Sequence, residues 1–299
     1  MNTPLVSILV ANYNNGNFFK DCYQSIIDQT YDNWEVIIVD DASTDNSVLV
    51  IKQIIGEDNR FKIFMNDKNK GCGYTKNKCA LMANGEILGF LDPDDALKLT
   101  ALELMVDLHI KNQGVAIITS KYDLVDLDMN FIKSTIHGNI VPLDKSYLTY
   151  GMGALTHFAT FKQYKYKETI GIDPTMMRAV DQDLYYKMEE QGEHLFLDEV
   201  LYLYRIHEKS ISANKNEFKA KYWHFYATVK AFERRTKLDL KIDNFSNSEI
   251  KKIKSNYYLS RFEREKANKR ICPKYYFLVK SIIAFPSHKT KFKIRSLIK

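Results

Sequence analysis

The sequence predicts an α/β fold, a mostly parallel sheet flanked by helices, on three observations. Short β-branched and aliphatic runs alternate with stretches of helical periodicity from residue 5 to residue 95, and strict alternation implies parallel strands joined by right-handed crossovers. The runs Leu5–Val10, Trp34–Val39 and Glu86–Leu91 are almost wholly apolar, as in strands covered on both faces. Each run ends in polar residues, Asn12 and Tyr13, then Asp40 and Asp41, then Asp92, Asp94 and Asp95. One edge of the sheet therefore collects polar side chains, and in open α/β sheets ligands bind at that edge.

The elements follow in chain order. Leu5–Val10 is a buried strand closed by Ala11-Asn12-Tyr13-Asn14-Asn15-Gly16. Asn17 can cap a helix over Phe18–Gln29, with Phe19, Cys22, Tyr23 and Ile26 at helical spacing. Trp34–Val39 is the second strand, and Ser43 or Thr44 opens a helix over Asp45–Ile55. Phe61–Met65 is the third strand and Gly73–Asn84 the third helix. The fourth strand, Glu86–Leu91, delivers the turn Asp92-Pro93-Asp94-Asp95.

Beyond the turn, Ala101–Lys111 reads as a helix and Gly114–Thr119 as a strand. Tyr122–Val125 and Phe131–Ile136 read as a hairpin whose turn acids lack the rest of a calcium site. Residues 138–160, with Gly138, Gly151 and Gly153, are expected to form loops that shape the acceptor side. Asp181 and Asp183 precede an amphipathic helix with Leu184, Tyr185 and Met188 inward. Leu201–Tyr204 is apolar, leading into Arg205-Ile206-His207 and on to Ser212. Three helices are expected last, over Glu217–Arg235, Asn247–Lys269 and Pro273–Phe285.

Length and charge divide the chain. Its 299 residues, 45% hydrophobic, are enough for a full core with an appendage. Residues 251–299 hold 15 Lys and Arg against Glu263 and Glu265, a local +13, so the +6 total leaves −7 for the first 250. The expected organisation is a body over 1–212, its nucleotide-binding half at 1–95 and acceptor half at 96–212, then a basic, aromatic-rich helical region over 213–299. That region is expected to pack on the body or on a second subunit of a homodimer. Its functional alternative is peripheral docking on anionic lipid, and no nucleic-acid-binding motif accompanies the charge. Cys22, Cys72, Cys79 and Cys272 show no paired spacing and read as small buried residues of a reducing compartment. With Asn2-Thr3-Pro4 leading directly into the first strand and no apolar run near ~20 residues, a cytoplasmic location is expected, peripheral on the inner face of the membrane if the tail docks there.

Carboxylates crowded at a strand end repel one another unless a cation or proton relieves them. A hard divalent cation, with phosphate oxygens and water completing its shell, fits Asp92, Asp94 and Asp95. There is neither a GxGxxG nor a GxxxxGK[ST] motif, so a phosphate site here needs a metal for positive charge.

Four segments together carry a resemblance: Val6 to Asn14, Val39 to Asp45, Asn69-Lys70-Gly71 with Thr75-Lys76-Asn77, and Asn84 to Asp95. In this order and spacing they resemble the family-2 inverting glycosyltransferases of GT-A fold. The resemblance implies a hexosyl- or N-acetylhexosaminyltransferase using a nucleotide sugar, usually a UDP-sugar, with Mn²⁺ or Mg²⁺ on the DxD-type turn. It implies that Ala11, Asn12, Tyr13 and Asp41 line the base and ribose and that Lys76, where the family often has arginine, approaches the base or diphosphate. Asp92 and Asp94 would serve the donor, Asp94 and Asp95 the metal. The segment around Asp181 is similar to the family's Glu-Asp motif, whose aspartate is the catalytic base; Val180 stands at the glutamate, so the role falls to Asp181, with Asp183 as substitute. The last apolar strand resembles a segment in which Arg205 would approach the diphosphate and His207 would be a third metal ligand or a phosphate donor. The acceptor implied is a glycan or a lipid-linked surface saccharide.

Two other functions compete. A sugar-nucleotide nucleotidyltransferase would need a basic Gly-rich loop after the first strand, and Asn12–Asn17 has no basic residue. A phospho-acceptor signalling module would use Asp40, Asp41 and the Asp92 turn as an acidic pocket, but leaves the late Asp181 and His207 segments unexplained.

Overall fold

The computed structural model describes residues 3–142, 145–150, 153–207, 217–240 and 246–298. Residues 208–212, the 212/213 boundary, Asn2 and Gly151, all named above, lie outside the described residues.

The amino-terminal half follows the predicted alternation. Strands β1 (Val6–Asn12), β2 (Trp34–Asp40), β3 (Phe61–Met65) and β4 (Ile87–Phe90) are mutually parallel in the spatial order β3-β2-β1-β4. Helices α1 (Phe19–Ile27), α2 (Ser47–Ile55) and α3 (Cys72–Met82) make the crossovers. Period-two alternation feeds two cores. Val36 and Ile38 of β2 join Ile8, Val10, Phe19 and Ile51 on one face, whereas Ile37 and Val39 join Leu9, Cys79 and Leu88 on the other. Glu35 pins the opposite edge of the sheet, accepting from Ser7 Oγ at 2.7 Å, Asn84 N at 2.7 Å and Lys62 Nζ at 2.7 Å. Burial alone would raise its pKa, but these donors outweigh it and lower it.

The carboxy-terminal half departs from the expected pattern. After β4 the sheet continues through β8 (Ala159–Lys162), β6 (Val115–Val125), β9 (Glu193–Arg205) and β5 (Ala96–Leu97). The pairings β4–β8, β8–β6 and β9–β5 are antiparallel, so the sheet is mixed. The two strands expected at 114–119 and 122–125 are one, β6, which takes β7 (Phe131–Ser134) as its hairpin partner. The stretch 138–160, expected to be loops, ends by entering a central strand. Its signal is hidden because Lys162 closes the run, yet Lys162 is buried and donates to the carbonyls of Asn112 at 2.9 Å and Gln113 at 2.8 Å. It thereby caps the end of α4 (Ala101–Lys111). Short α5 (Tyr147–Tyr150) and α6 (Gln163–Lys167) flank β8, and α7 (Val180–Glu189) carries the predicted amphipathic face.

Four helices finish the chain: α8 (Glu217–Lys237), α9 (Asn247–Ala267), α10 (Ile271–Ala284) and α11 (Thr290–Ile298), the last not predicted. Ala227, Ala231 and Phe232 of α8 belong to the body's own core, and Arg234 and Arg235 pair with Glu190 and Glu189 at the end of α7. A capping box between Ser246 and Glu249 starts α9, which packs with α10 around Leu259, Phe262, Phe277 and Leu278. Cys22 and Cys79 are buried as expected; Cys72 is half-buried and Cys272 exposed. Among the described residues, no helix is long and apolar enough to cross a membrane.

Candidate active site

The polar edge begins at the ends of β1 and β2. Asn12 Nδ2 donates to Asp40 Oδ1 at 2.7 Å, and Asp40 also accepts from Ser43 N at 2.8 Å and Ser43 Oγ at 2.6 Å. The other amide atom, Asn12 Oδ1, is buried with no partner among the described residues. Asp41 accepts from Asn66 Nδ2, Lys70 N and Gly71 N, each at 2.8 Å. Three of its roughly four lone-pair positions are thus spent on the 66–71 loop. Ala11 is half-buried, and Tyr13, 43% exposed, forms the rim.

The Asp92–Asp95 turn sends its three carboxylates in different directions. Asp95 is buried: its Oδ2 accepts from Tyr202 Oη at 2.6 Å and its Oδ1 from Arg205 N at 2.8 Å. Tyr202 Oη also receives the Asp92 backbone N–H at 3.2 Å. Arg205 clamps the turn through three contacts. Its Nε donates to Asp94 O at 2.8 Å, one terminal nitrogen to Leu127 O at 2.6 Å and the other to Asp21 Oδ2 at 2.6 Å, and the Phe18 ring lies 5.0 Å from the guanidinium carbon. Asp94 turns the other way, with Oδ2 2.8 Å from His207 Nε2. Burial and the neighbouring charge of Asp92 raise the Asp94 pKa, against the pull of His207. Burial, then Asp94 and Asp92, push Asp95 well above the usual carboxylate range.

Asp94 and His207 are the pair suited to a cation. Two donors in adjacent positions about one hard ion stand roughly 3 Å apart, close to the observed 2.8 Å, and His207 Nδ1 is buried with no partner among the described residues. Among the described residues, no group of three or more His, Cys, Asp or Glu side chains is arranged around one point. A bound ion would need other oxygens to complete its shell. Asp95 already spends both oxygens on Tyr202 and Arg205.

Asp181, at the first turn of α7, reaches the same edge. Its Oδ1 lies 2.8 Å from Lys76 Nζ, which is also 3.4 Å from Asp92 Oδ1 and 4.9 Å from the Phe90 ring. Lys76 was expected at the base or diphosphate; the structure seats it between the two carboxylates. Burial would lower its pKa, but the charges of Asp181 and Asp92 more than reverse this and hold it well above the ordinary value. For Asp181 burial acts upward, and Lys76 with His157 outweighs it, so the carboxylate stays below its usual range. α3 is tied to the segment just before α7, where Gly73 N donates to Met176 O at 2.8 Å. A Cβ on Gly73 would sit 2.4 Å from Asp173 O and 2.5 Å from Met176 O.

Asp183 lies elsewhere: it is buried and paired with Lys187, with Arg234 3.8 Å away. Val180 packs in the core. Sequence reasoning missed His157, stacked on Tyr202 at 5.0 Å, and Tyr202 itself. Nothing in the sequence marks His157. Tyr202 had a signal, since it alternates with Leu201 and Leu203 on a strand ending beside the turn.

The sequence and the fold are both similar to those of known proteins. Residues 7–185 match the family model described as glycosyl transferase family 2. A chondroitin synthase of Escherichia coli is 31% identical over 212 residues, covering 71% of this chain and 30% of the synthase, so the match spans under a third of that relative's length. TuaG of Bacillus subtilis, named a putative teichuronic acid biosynthesis glycosyltransferase, is 28% identical over 76% of this chain and 88% of its own. The fold is also similar to Staphylococcus aureus TarS solved with UDP-GlcNAc, with a TM-score of 0.59 at 16% identity, over 93% of this chain and 91% of that one. The family model covers more than half of the sequence and the mixed sheet is similar to that of TarS, so the chain belongs to glycosyl transferase family 2 and has a GT-A fold.

Proposed function

We propose that the chain transfers a sugar, with inversion, from a UDP-sugar to a hydroxyl of a glycan or lipid-linked acceptor, with Asp181 as general base. The observation that carries this reading is the seating of Lys76 between Asp92 and Asp181. It brings a carboxylate of the acidic turn and a carboxylate of α7 to one ammonium, so donor and acceptor groups would meet there. UDP is taken as the nucleotide because TarS, of similar fold, is described with UDP-GlcNAc; a mannosyltransferase of Pyrobaculum calidifontis with similar fold is described with GDP-Man and Mn²⁺, so a donor screen includes both. A surface saccharide acceptor is favoured by the names of the chondroitin and teichuronic acid relatives.

Asp181 remains ionised, and a carboxylate within hydrogen-bond reach can take the acceptor proton as its oxygen attacks the anomeric carbon. The bond from that carbon to the diphosphate breaks on the opposite face, so one displacement inverts the configuration. Asp94 and His207 would hold Mn²⁺ or Mg²⁺, which when bound supplies positive charge to a leaving diphosphate. Asp41 keeps one acceptor position for a ring imide or ribose hydroxyl, and Tyr13 offers an exposed ring to the base. Arg205 and Tyr202 hold the turn in place, and Asp95 acts through them. A basic carboxy-terminal region favours an acceptor presented at an anionic membrane over a homodimer.

A screen of UDP-sugars and GDP-Man for Mn²⁺-dependent hydrolysis, repeated with Asp94→Ala and Asp181→Ala, tests the reading. Asp94→Ala is expected to weaken metal and donor binding, and Asp181→Ala to spare donor binding while abolishing transfer. Full transfer by Asp181→Ala would remove the proposed base.

A further inference from the structure

Residues 271–299 contain seven Lys and Arg and no Asp or Glu. Within them α10 buries Phe277 and Leu278 against α9 and leaves Tyr276, Val279 and Ile283 outward, 56%, 47% and 72% exposed. Spacings of three and four place these three on one helical face. Lys293 of α11 is buried, and its Nζ donates to Ser255 Oγ at 3.0 Å, Ser281 O at 3.0 Å and Phe285 O at 2.6 Å. That anchor holds α11 against the end of α10. Lys289, Lys291 and Arg295 are exposed, and Lys280 edges the stripe, its Nζ 5.5 Å from the Tyr276 ring.

We propose that this α10–α11 face docks on an anionic lipid membrane, with Tyr276, Val279 and Ile283 entering the headgroup boundary and the α11 cations on lipid phosphates. This deepens the reading above, since it would bring the transfer site to a lipid-linked acceptor. An apolar stripe edged by cations, with no carboxylate in the segment, has the chemistry of an interfacial helix. A second copy is a poor occupant, because two-fold pairing would set the same exposed cations, Lys289, Lys291 and Arg295, against one another. Because no described helix can cross a bilayer, the contact lies on the surface.

Flotation of the full chain with vesicles tests this, comparing phosphatidylglycerol mixed with phosphatidylcholine against phosphatidylcholine alone. The variants are Val279→Asp/Ile283→Asp and Lys289→Glu/Lys291→Glu, at exposed positions. Each cation near such a surface favours binding about fivefold, so the wild type should bind the anionic vesicles, and each variant at least about tenfold less. Hydrolysis of a UDP-sugar without vesicles should be unchanged in both variants; its absence from the wild type would count against the enzymatic reading rather than the docking face. Equal vesicle binding by wild type and variants would overturn the proposal. So would a wild-type dimer that Val279→Asp/Ile283→Asp dissociates with no vesicle binding by either, which would give the face to a second copy.

Discussion

Lys76 Nζ and Asp181 Oδ1, 105 positions apart in sequence, lie 2.8 Å from each other. One residue comes from a crossover helix of the parallel half and the other from a helix that follows an antiparallel strand. Their meeting converts two separate sheet-edge features into one site.

Removing the ammonium should expose what it suppresses. Lys76 opposes the effect of burial on Asp181, so in Lys76→Met the protonated carboxyl gains. Transfer that needs ionised Asp181 is fully active above its pKa and lost as pH falls through it. The acidic limb of kcat/KM should therefore move to higher pH in Lys76→Met, each unit costing about tenfold at a fixed pH below the limb. A pH profile of both proteins checks this, and an unmoved limb would separate Lys76 from the base.

Asp181→Asn keeps an acceptor for Lys76 while removing the basic oxygen. Transfer should fall by about 10²- to 10⁴-fold, with donor affinity by calorimetry changed by no more than a few fold. A parallel loss of donor affinity would instead give Asp181 a binding role.

Asp94 and His207 present their facing atoms at 2.8 Å. His207→Ala should lower Mn²⁺ affinity in the presence of UDP by about 10- to 100-fold, read by calorimetry. Arg205→Lys should also lower it, less directly, because Lys cannot reproduce the forked contacts to Asp94 O, Leu127 O and Asp21.

Gly73→Ala tests how the two helices are brought together. The new methyl would press on two backbone oxygens closer than 2.6 Å, which a side-chain rotation cannot relieve. A stability loss of about 1–3 kcal/mol is expected, with a fall in kcat as α3 and α7 separate. Thermal unfolding and steady-state kinetics on the same protein would report both.

The parallel half was legible because its rules are local. Buried strands and crossovers from Val6 to Asp95 follow from runs of apolar residues and turn formers; the expected caps do not, because α1 starts after Phe18 and α2 after Asn46, neither with a side-chain cap. The second half was not, because β8 ends in Lys162, whose charge argues against a central strand until the carbonyls it caps are known. At the site, the residue types were readable and their directions were not. Asp94 and Asp95 are adjacent in sequence, yet one faces His207 and the other is locked to Tyr202 and Arg205. A turn around Pro93 decides that, and one residue's phase cannot be read from spacing. Arg205 could be placed near the turn but not on its buried side, since its partners Asp21 and Leu127 come from distant loops and helices.

Inverting transfer requires a single displacement at the anomeric carbon. Proton NMR of the sugar released early from a UDP-α-sugar, before mutarotation, reads that step directly. The β-anomer is the predicted product; release of the α-anomer would contradict inversion and the role given to Asp181.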